Sequence, residues 1–220
     1  MDAERLIYPL MKHVVLGPAM RAAFRPQVSG LANLPDGPVI LAANHLAFCD
    51  SFVLPLVVPR QVFFLGKHEY FTRPGPAGRA MAAFFRGVGA IAVDRSGGHA
   101  AQAALDAAAR VLERGEVFAL HPEGTRSPDG RLYRGHTGVG RLAERTGAPV
   151  VPVALAGTDR VQPPGRRVPR PGRIGVRVGA PLEIAGRDVR EFTDEVMRAI
   201  HAMSGQEYVD EYAPRRENRS

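Results

Sequence analysis

The sequence predicts an α/β fold, with a mixed, mostly parallel central sheet flanked by helices and an amphipathic helical segment at the N-terminus. Two patterns carry that expectation. Short Val/Ile/Leu runs of strand length alternate with longer segments of helical period, and 24 Gly and 19 Pro punctuate the changes between them. At 220 residues the chain suits one domain with a substantial core, and 45% hydrophobic against 23% charged residues are ordinary globular proportions.

The elements follow in order. In residues 1–25, Leu6, Ile7, Leu10, Met11, Val14 and Val15 fall on one helical face, with Glu4, Arg5, Lys12 and His13 largely elsewhere. Pro9 fits only an initial turn or a kink, and Pro18, after Gly17, should break the helix. Such a segment either packs on its own domain or lies in a bilayer interface, and the sequence leaves both open. No stretch reaches the ~20 apolar residues of a spanning helix. Asp2 and Glu4 do not fit a signal peptide.

Residues 26–213 read as the α/β domain. Pro38 to Ala43, Val62 to Leu65, Ala90 to Val93, Val117 to Leu120, Val150 to Leu155 and Ile174 to Val178 are the expected strands. His99 to Arg114 is the clearest helix, Ala-rich and ended by Gly115. Phe52 to Val58, Gly138 to Arg145 and Val189 to Met203 also read as helical. Gln162 to Arg173 is too rich in Pro and Arg to be regular. With Arg160, Arg166, Arg167, Arg170 and Arg173 it forms a basic patch that is either solvated or lipid-facing. The tail, residues 214–220, is expected to fray.

A net charge of +7 and a pI near 10.3 attract polyanions: nucleic acid, anionic head groups or a phosphorylated substrate. With no zinc-finger spacing, no ribonucleoprotein motif and 7% aromatics, no nucleic-acid partner is expected. One cysteine, Cys49, excludes an internal disulfide and a cysteine-based zinc cluster.

Three polar clusters follow strands. In Asn44 to Asp50 (NHLAFCD) a histidine leaves a strand end and a carboxylate follows five residues later, at a helix start. Active-site groups gather at such strand ends. His45 suits proton abstraction near neutral pH, and Asp50 on its other nitrogen would fix the tautomer, although the pair taken alone also arises by chance. Ser51 is a helix-start residue without a nucleophile-elbow sequence around it. Cys49 is either a small buried thiol or a nucleophile, with nothing nearby to activate it. In His121 to Ser127 (HPEGTRS) a carboxylate, a glycine, a hydroxyl and an arginine share one loop, which suits an anion or a tight turn with a surface ion pair. Gly89 to Arg95 (GAIAVDR) ends a strand in Asp-Arg, expected on the same rim.

Together these blocks resemble the glycerolipid acyltransferases, in particular the bacterial lysophosphatidic acid acyltransferases. The family's His-x4-Asp motif matches His45 and Asp50, and its Gly-x-Ile-x-x-Asp-Arg block matches Gly89 to Arg95. Its Pro-Glu-Gly-Thr-Arg-Ser block matches Pro122 to Ser127, and its Val-Pro-Val block matches Val151 to Val153, all in the family's order over residues 27–185. The resemblance implies acyl transfer from acyl-CoA or acyl carrier protein to lysophosphatidic acid, with His45 as base, Asp50 orienting it, and no covalent acyl-enzyme. It also implies that Glu123, Gly124, Thr125 and Arg126 shape the acceptor pocket, with Arg126 and Lys67, and more weakly Arg95, on the phosphate. No cofactor or metal is implied. The partners are the lysophospholipid, the thioester and a membrane surface, at the cytoplasmic face of the cell membrane. The alternatives are another lysophospholipid, glycerol 3-phosphate or a glycolipid as acceptor, and a non-catalytic membrane-binding protein of the same fold. His121 departs from the family, which commonly has an aromatic or apolar residue there, and reads as pocket-lining or core.

Overall fold

A computed structural model of the chain describes residues 8–93, 100–166 and 168–214, apart from the side chain of Val15. Seven strands form one sheet in the order β1 (Gln27–Ser29), β8 (Gly175–Val178), β7 (Val150–Ala156), β2 (Val39–Ala43), β5 (Val117–Leu120), β3 (Val62–Lys67) and β4 (Ala90–Val93). Every neighbouring pair is parallel except β7 with β8. Strands β7, β2, β5, β3 and β4 therefore turn their C-terminal ends to a single rim. This is the mixed, mostly parallel sheet that the alternation of short apolar runs predicts. A separate pair, β6 (Leu132–Tyr133) with β9 (Tyr208–Val209), lies outside it.

The helices are α1 (Leu16–Phe24), entered through a π-helical stretch Met11–Val15, α2 (Asp50–Val57), α3 (Glu69–Thr72), α4 (Gly75–Gly87), α5 (Ala100–Leu112), α6 (Gly138–Thr146), α7 (Thr158–Val161) and α8 (Val189–Ser204). Central strand β2 shows how the layers form. Its side chains alternate, so Val39, Leu41 and Ala43 pack with Val53 and Leu54 of α2 and Phe85 of α4. Ile40 and Ala42 pack on the other face with Ala108, Leu142 and Val196 of α5, α6 and α8. Full burial of side chains such as Ile40, Leu41 and Phe118 contributes about 1.5–3 kcal/mol each. α8 is set by its ends: the Asp188 carboxylate accepts from the amides of Arg190 and Glu191, and Gly205 closes it at φ 68°.

One expectation for the N-terminal segment fails, and one residue there is unusual. Pro18 does not break the helix, because the π-helical stretch changes the bonding register just before it, and the proline falls in the first turn of α1, where its missing N–H costs little. Lys12 is not on a solvated face. It is buried, and its ammonium donates to the carbonyls of Val58 and, at 3.3 Å, Arg60, beyond the C-terminal end of α2, where a cation is favoured. Burial lowers its pKa to about 8. Tyr8 is buried too, its hydroxyl donating to Pro55 O at 3.0 Å and accepting from Val62 N at 3.2 Å. The segment is thus packed on its own domain, while Leu10 and Val14 of the expected apolar face are 53% and 64% exposed. Leu6, Ile7, His99, Arg167 and residues 215–220 lie outside the described residues, and so does Arg95. No helix among the described residues is long and apolar enough to cross a membrane.

Candidate active site

The first anchor is Asn44, fully buried just past β2. Its amide repeats a strand-to-strand pairing beyond the end of the ladder, accepting from Leu155 N at 2.7 Å and donating to Leu155 O at 2.9 Å. It also donates to the Gln206 side chain at 2.7 Å, which fixes the end of β2 against β7 and the segment after α8. His45 therefore leaves a rigid strand end.

Asp50 sits in the first turn of α2, completely buried. Its Oδ2 accepts three hydrogen bonds: from His45 Nδ1 at 3.0 Å, Leu46 N at 2.6 Å and Ala47 N at 2.7 Å. Burial alone would raise the pKa of this carboxyl. The hydrogen bond and charge of His45, with help from His121 and the Thr158 hydroxyl, bring it below the ordinary 3.8. Thr158, at the start of α7, lies close enough to act on Asp50 without completing a hydrogen bond to it, and both its hydroxyl and Asp50 Oδ1 are buried. With Asp50 ionised, the His45 nitrogen facing it carries the proton and Nε2 has a free lone pair. The His45 side chain is 16% exposed and that of Asp50 not at all, so the imidazole meets solvent while the carboxylate does not.

The loop after β5 closes the site from the other side. Glu123 is 1% exposed, and its two oxygens accept from His45 N at 2.8 Å and Tyr133 N at 3.1 Å. It is a strut beneath His45 that shapes the site from behind. Burial raises its pKa to about 7 against the opposing effect of those two amides. Ser127 N donates to His45 O at 2.7 Å, a second tie between the loops. Gly124 holds φ at 70°, and a Cβ there would come within 3.0 Å of the His136 ring, so the tight turn needs glycine. Thr125 and Arg126 are half-buried in the same turn.

His121 lies flat against His45, ring centroids 3.9 Å apart and planes 7° from parallel. Its Nδ1 faces the carbonyls of Ala43 at 3.0 Å and Asn44 at 3.1 Å, so Nδ1 carries the proton. Burial, then the neighbouring His45, lowers its pKa to about 3, which leaves it neutral. Cys49 is buried, and burial followed by the Asp50 charge pushes its thiol up to about 12. It stays protonated, and its backbone amide donates to Gln162 at 2.8 Å.

The structure thus joins His45, Asp50 and Glu123 directly and places Gly124, Thr125 and Arg126 in the loop tied to them. Lys67 is exposed at the end of β3. That strand is two places from β2 in the sheet, so Lys67 stands about 10 Å along the rim by strand spacing. Thr158 and Gln206 were not foreseen; Thr158 follows Gly157 at the end of a predicted strand, a signal that could have been used, whereas Gln206 gives none. A half-open cavity of about 500 Å³ lies along α2, lined by Met20, Arg21, Arg25, Val28, Val53 and Val57 among others, and His45 does not line it. Among the described residues no group of His, Cys, Asp or Glu is arranged to hold a metal ion.

The chain resembles known proteins in both sequence and fold. Residues 25–156 match the family model described as acyltransferase. The chain is 31% identical over 169 residues to the chloroplastic 1-acyl-sn-glycerol-3-phosphate acyltransferase LPAT1 of Arabidopsis thaliana, covering 76% of this chain and 46% of the relative. It is 29% identical over 189 residues to the 1-acyl-sn-glycerol-3-phosphate acyltransferase of Pseudomonas aeruginosa, covering 81% and 67%. The chain spans about half the length of the plant relatives it matches. The crystal structure of the 1-acyl-sn-glycerophosphate acyltransferase PlsC from Thermotoga maritima superposes with a TM-score of 0.70 at 27% identity, covering 92% of this chain and 83% of that one.

Proposed function

The chain belongs to the acyltransferase family, and from that premise we propose that it moves a fatty acyl group from acyl-CoA or acyl carrier protein to the free hydroxyl of lysophosphatidic acid, forming phosphatidic acid. One observation carries the chemistry: a partly exposed imidazole whose inner nitrogen is bonded at 3.0 Å to a fully buried carboxylate. In this reading His45 Nε2 takes the hydroxyl proton as the oxygen attacks the thioester carbonyl. Asp50 opposes the charge that develops on the ring. The tetrahedral carbon then expels the thiolate, the imidazolium returns the proton to sulfur, and His45 is neutral again. Cys49, buried and held as a thiol, supports a direct transfer over an acyl-enzyme.

The acceptor follows from the relatives, which are named for acylation of 1-acyl-sn-glycerol-3-phosphate. Arg126 beside the site and Lys67 along the rim supply positive charge for its phosphate, and Arg95 joins them by family resemblance. Glu123, Gly124 and Thr125 shape the acceptor pocket. The enzyme acts at the cytoplasmic face of the membrane without a cofactor. Exposed Leu10 and Val14, with the arginines of the loop after α7, supply the apolar and cationic contacts a lipid surface favours. Purified protein given acyl-CoA and lysophosphatidic acid should release free thiol and yield phosphatidic acid by mass spectrometry. His45→Ala should lower turnover by at least about 10²-fold with the fold intact. A His45→Ala protein as active as wild type refutes the mechanism, and a lipid product other than phosphatidic acid refutes the acceptor.

A further inference from the structure

We propose that His121 is a positioning residue for His45, a second imidazole whose flat face holds the reactive ring in its working orientation. The proposal rests on the reading of His45 as the base. The one ring hydrogen bond of His45, from Nδ1 to Asp50, restrains rotation about the Cβ–Cγ bond only within the angular tolerance of a single hydrogen bond, about a torsion whose own profile is broad and two-fold. Rocking swings Nε2, the atom that must meet the acceptor hydroxyl. The His121 ring, 3.9 Å away and within 7° of parallel, removes that freedom on one side.

The His121 ring is itself immobilised. Its Nδ1 bonds to Ala43 O and Asn44 O, the carbonyls immediately before His45. The reference surface for the ring is therefore tied to the same backbone that carries the ring. Charge supports the arrangement. Apart from the two histidines themselves, the ionisable group acting on the rings is Asp50, bonded to His45, while Glu123 bonds the His45 amide. His121 remains uncharged in their presence. When His45 becomes an imidazolium during turnover it thus lies over a neutral π-face, which attracts a cation, and not against a second positive charge.

Two substitutions separate the ring face from other contributions. His121→Asn keeps a donor for the two carbonyls and removes the ring, while His121→Phe keeps a ring and removes the donor. We expect His121→Asn to lose about 10-fold in kcat with KM nearly unchanged, because misplacing a reacting group by a fraction of an ångström costs rate and not binding. His121→Phe should keep most of the wild-type kcat. In NMR spectra of the free protein, the His45 ring protons should move downfield in His121→Asn, as the ring current of the stacked neighbour is lost, and stay upfield in His121→Phe. Folded His121→Asn with wild-type kcat, a loss confined to KM, or folded His121→Phe as impaired as His121→Asn would overturn the proposal. If His121→Asn fails to fold, kcat and the His45 signals of His121→Phe still decide. The NMR result is independent of turnover: unmoved His45 signals in His121→Asn sink this inference, whereas wild-type protein that transfers no acyl group sinks the functional reading.

Discussion

Replacing Asp50 by Asn removes a charge and almost nothing else, so its cost can be worked out from the contacts it disturbs. The amides of Leu46 and Ala47 point at Oδ2, and they will hold the asparagine carbonyl oxygen in that place. His45 then keeps its hydrogen bond and its tautomer, but the charge opposing the imidazolium is gone. At a contact of 3.0 Å the two charge centres lie about 4 Å apart, and their attraction at an effective dielectric of about 20 is about 4 kcal/mol. That corresponds to about 10³-fold in kcat. KM should hardly change, because Asp50 is fully buried and cannot touch either substrate. Stability falls as well. Three charge-assisted hydrogen bonds become neutral ones at about 1 kcal/mol each, roughly 3 kcal/mol in all. The folded-state pKa of Asp50 lies below the ordinary 3.8, so its contribution is present above that value and disappears as pH falls through the folded pKa. Asp50→Asn should therefore approach the wild type in stability only in strong acid. Thiol release from acyl-CoA with lysophosphatidic acid gives kcat and KM, and urea titration gives stability. A folded Asp50→Asn protein within about threefold of wild-type kcat, or a loss carried wholly by KM, would show that the carboxylate does not act through His45.

Three further outcomes follow from the same contacts. Cys49→Ala should retain activity at a stability cost of about 1 kcal/mol for the small cavity; abolished turnover in a folded protein would restore the covalent route. Arg126→Ala should raise KM for a phosphorylated acceptor about 10- to 100-fold, the loss of one charge-assisted contact, and Lys67→Ala less because that side chain is exposed. Neither should matter for an acceptor without phosphate, and an equal loss on both acceptors would exclude a phosphate contact. Glu123 holds its proton up to about pH 7 when folded against 4.5 in the reference state, so stability is lost as pH rises between these values, by about 3 kcal/mol. Denaturant midpoints across pH 4–8 should show that slope in wild type relative to Glu123→Gln, and parallel curves would place Glu123 in a wetter site than the coordinates do.

What could be read from the sequence was local. His45 and Asp50 are five residues apart and the helix between them and the core is marked by its apolar run, so their meeting follows from a strand end and a helix start. The rim itself was legible because β2, β5 and β4 each show an apolar run followed by polar residues. The interactions that fix the site are not local. Glu123 reaches back 78 residues to His45 N, Asn44 pairs with a strand 111 residues on, and Gln206 meets Asn44 across 162 residues. No periodicity encodes such a bond. Helix α4 was left unassigned: Gly75, Pro76 and Gly78 are poor helix formers, although Pro76 stands in the first turn of the helix, where its missing N–H is no loss. Strands β1, β6 and β9 are two or three residues long, too short to display an alternation. The sequence shows the two faces of the N-terminal helix but not which of them is buried. Leu10 and Val14 do share a face and Lys12 does lie off it, but the face that meets the domain is the one carrying Tyr8 and Lys12, which no helical wheel can tell.

In the proposed mechanism one carboxylate acts on His45, and the groups around that residue fit a single ionised partner. Asp50 bonds the His45 ring, Glu123 bonds the His45 amide and His121 stacks on the ring; Asp50 and Glu123 are buried and His121 is half-buried. Three donors converge on Asp50, enough to hold it ionised. Glu123 receives two amides and keeps its proton until about pH 7, and His121, whose lone donor nitrogen is used by carbonyls, stays neutral. With Glu123 protonated and His121 neutral, Asp50 supplies the buried negative charge beside His45. Proton transfer from an acceptor hydroxyl to His45 cancels it, so the step that creates charge on the imidazole relieves charge in the cluster as a whole. A second imidazolium would oppose that transfer.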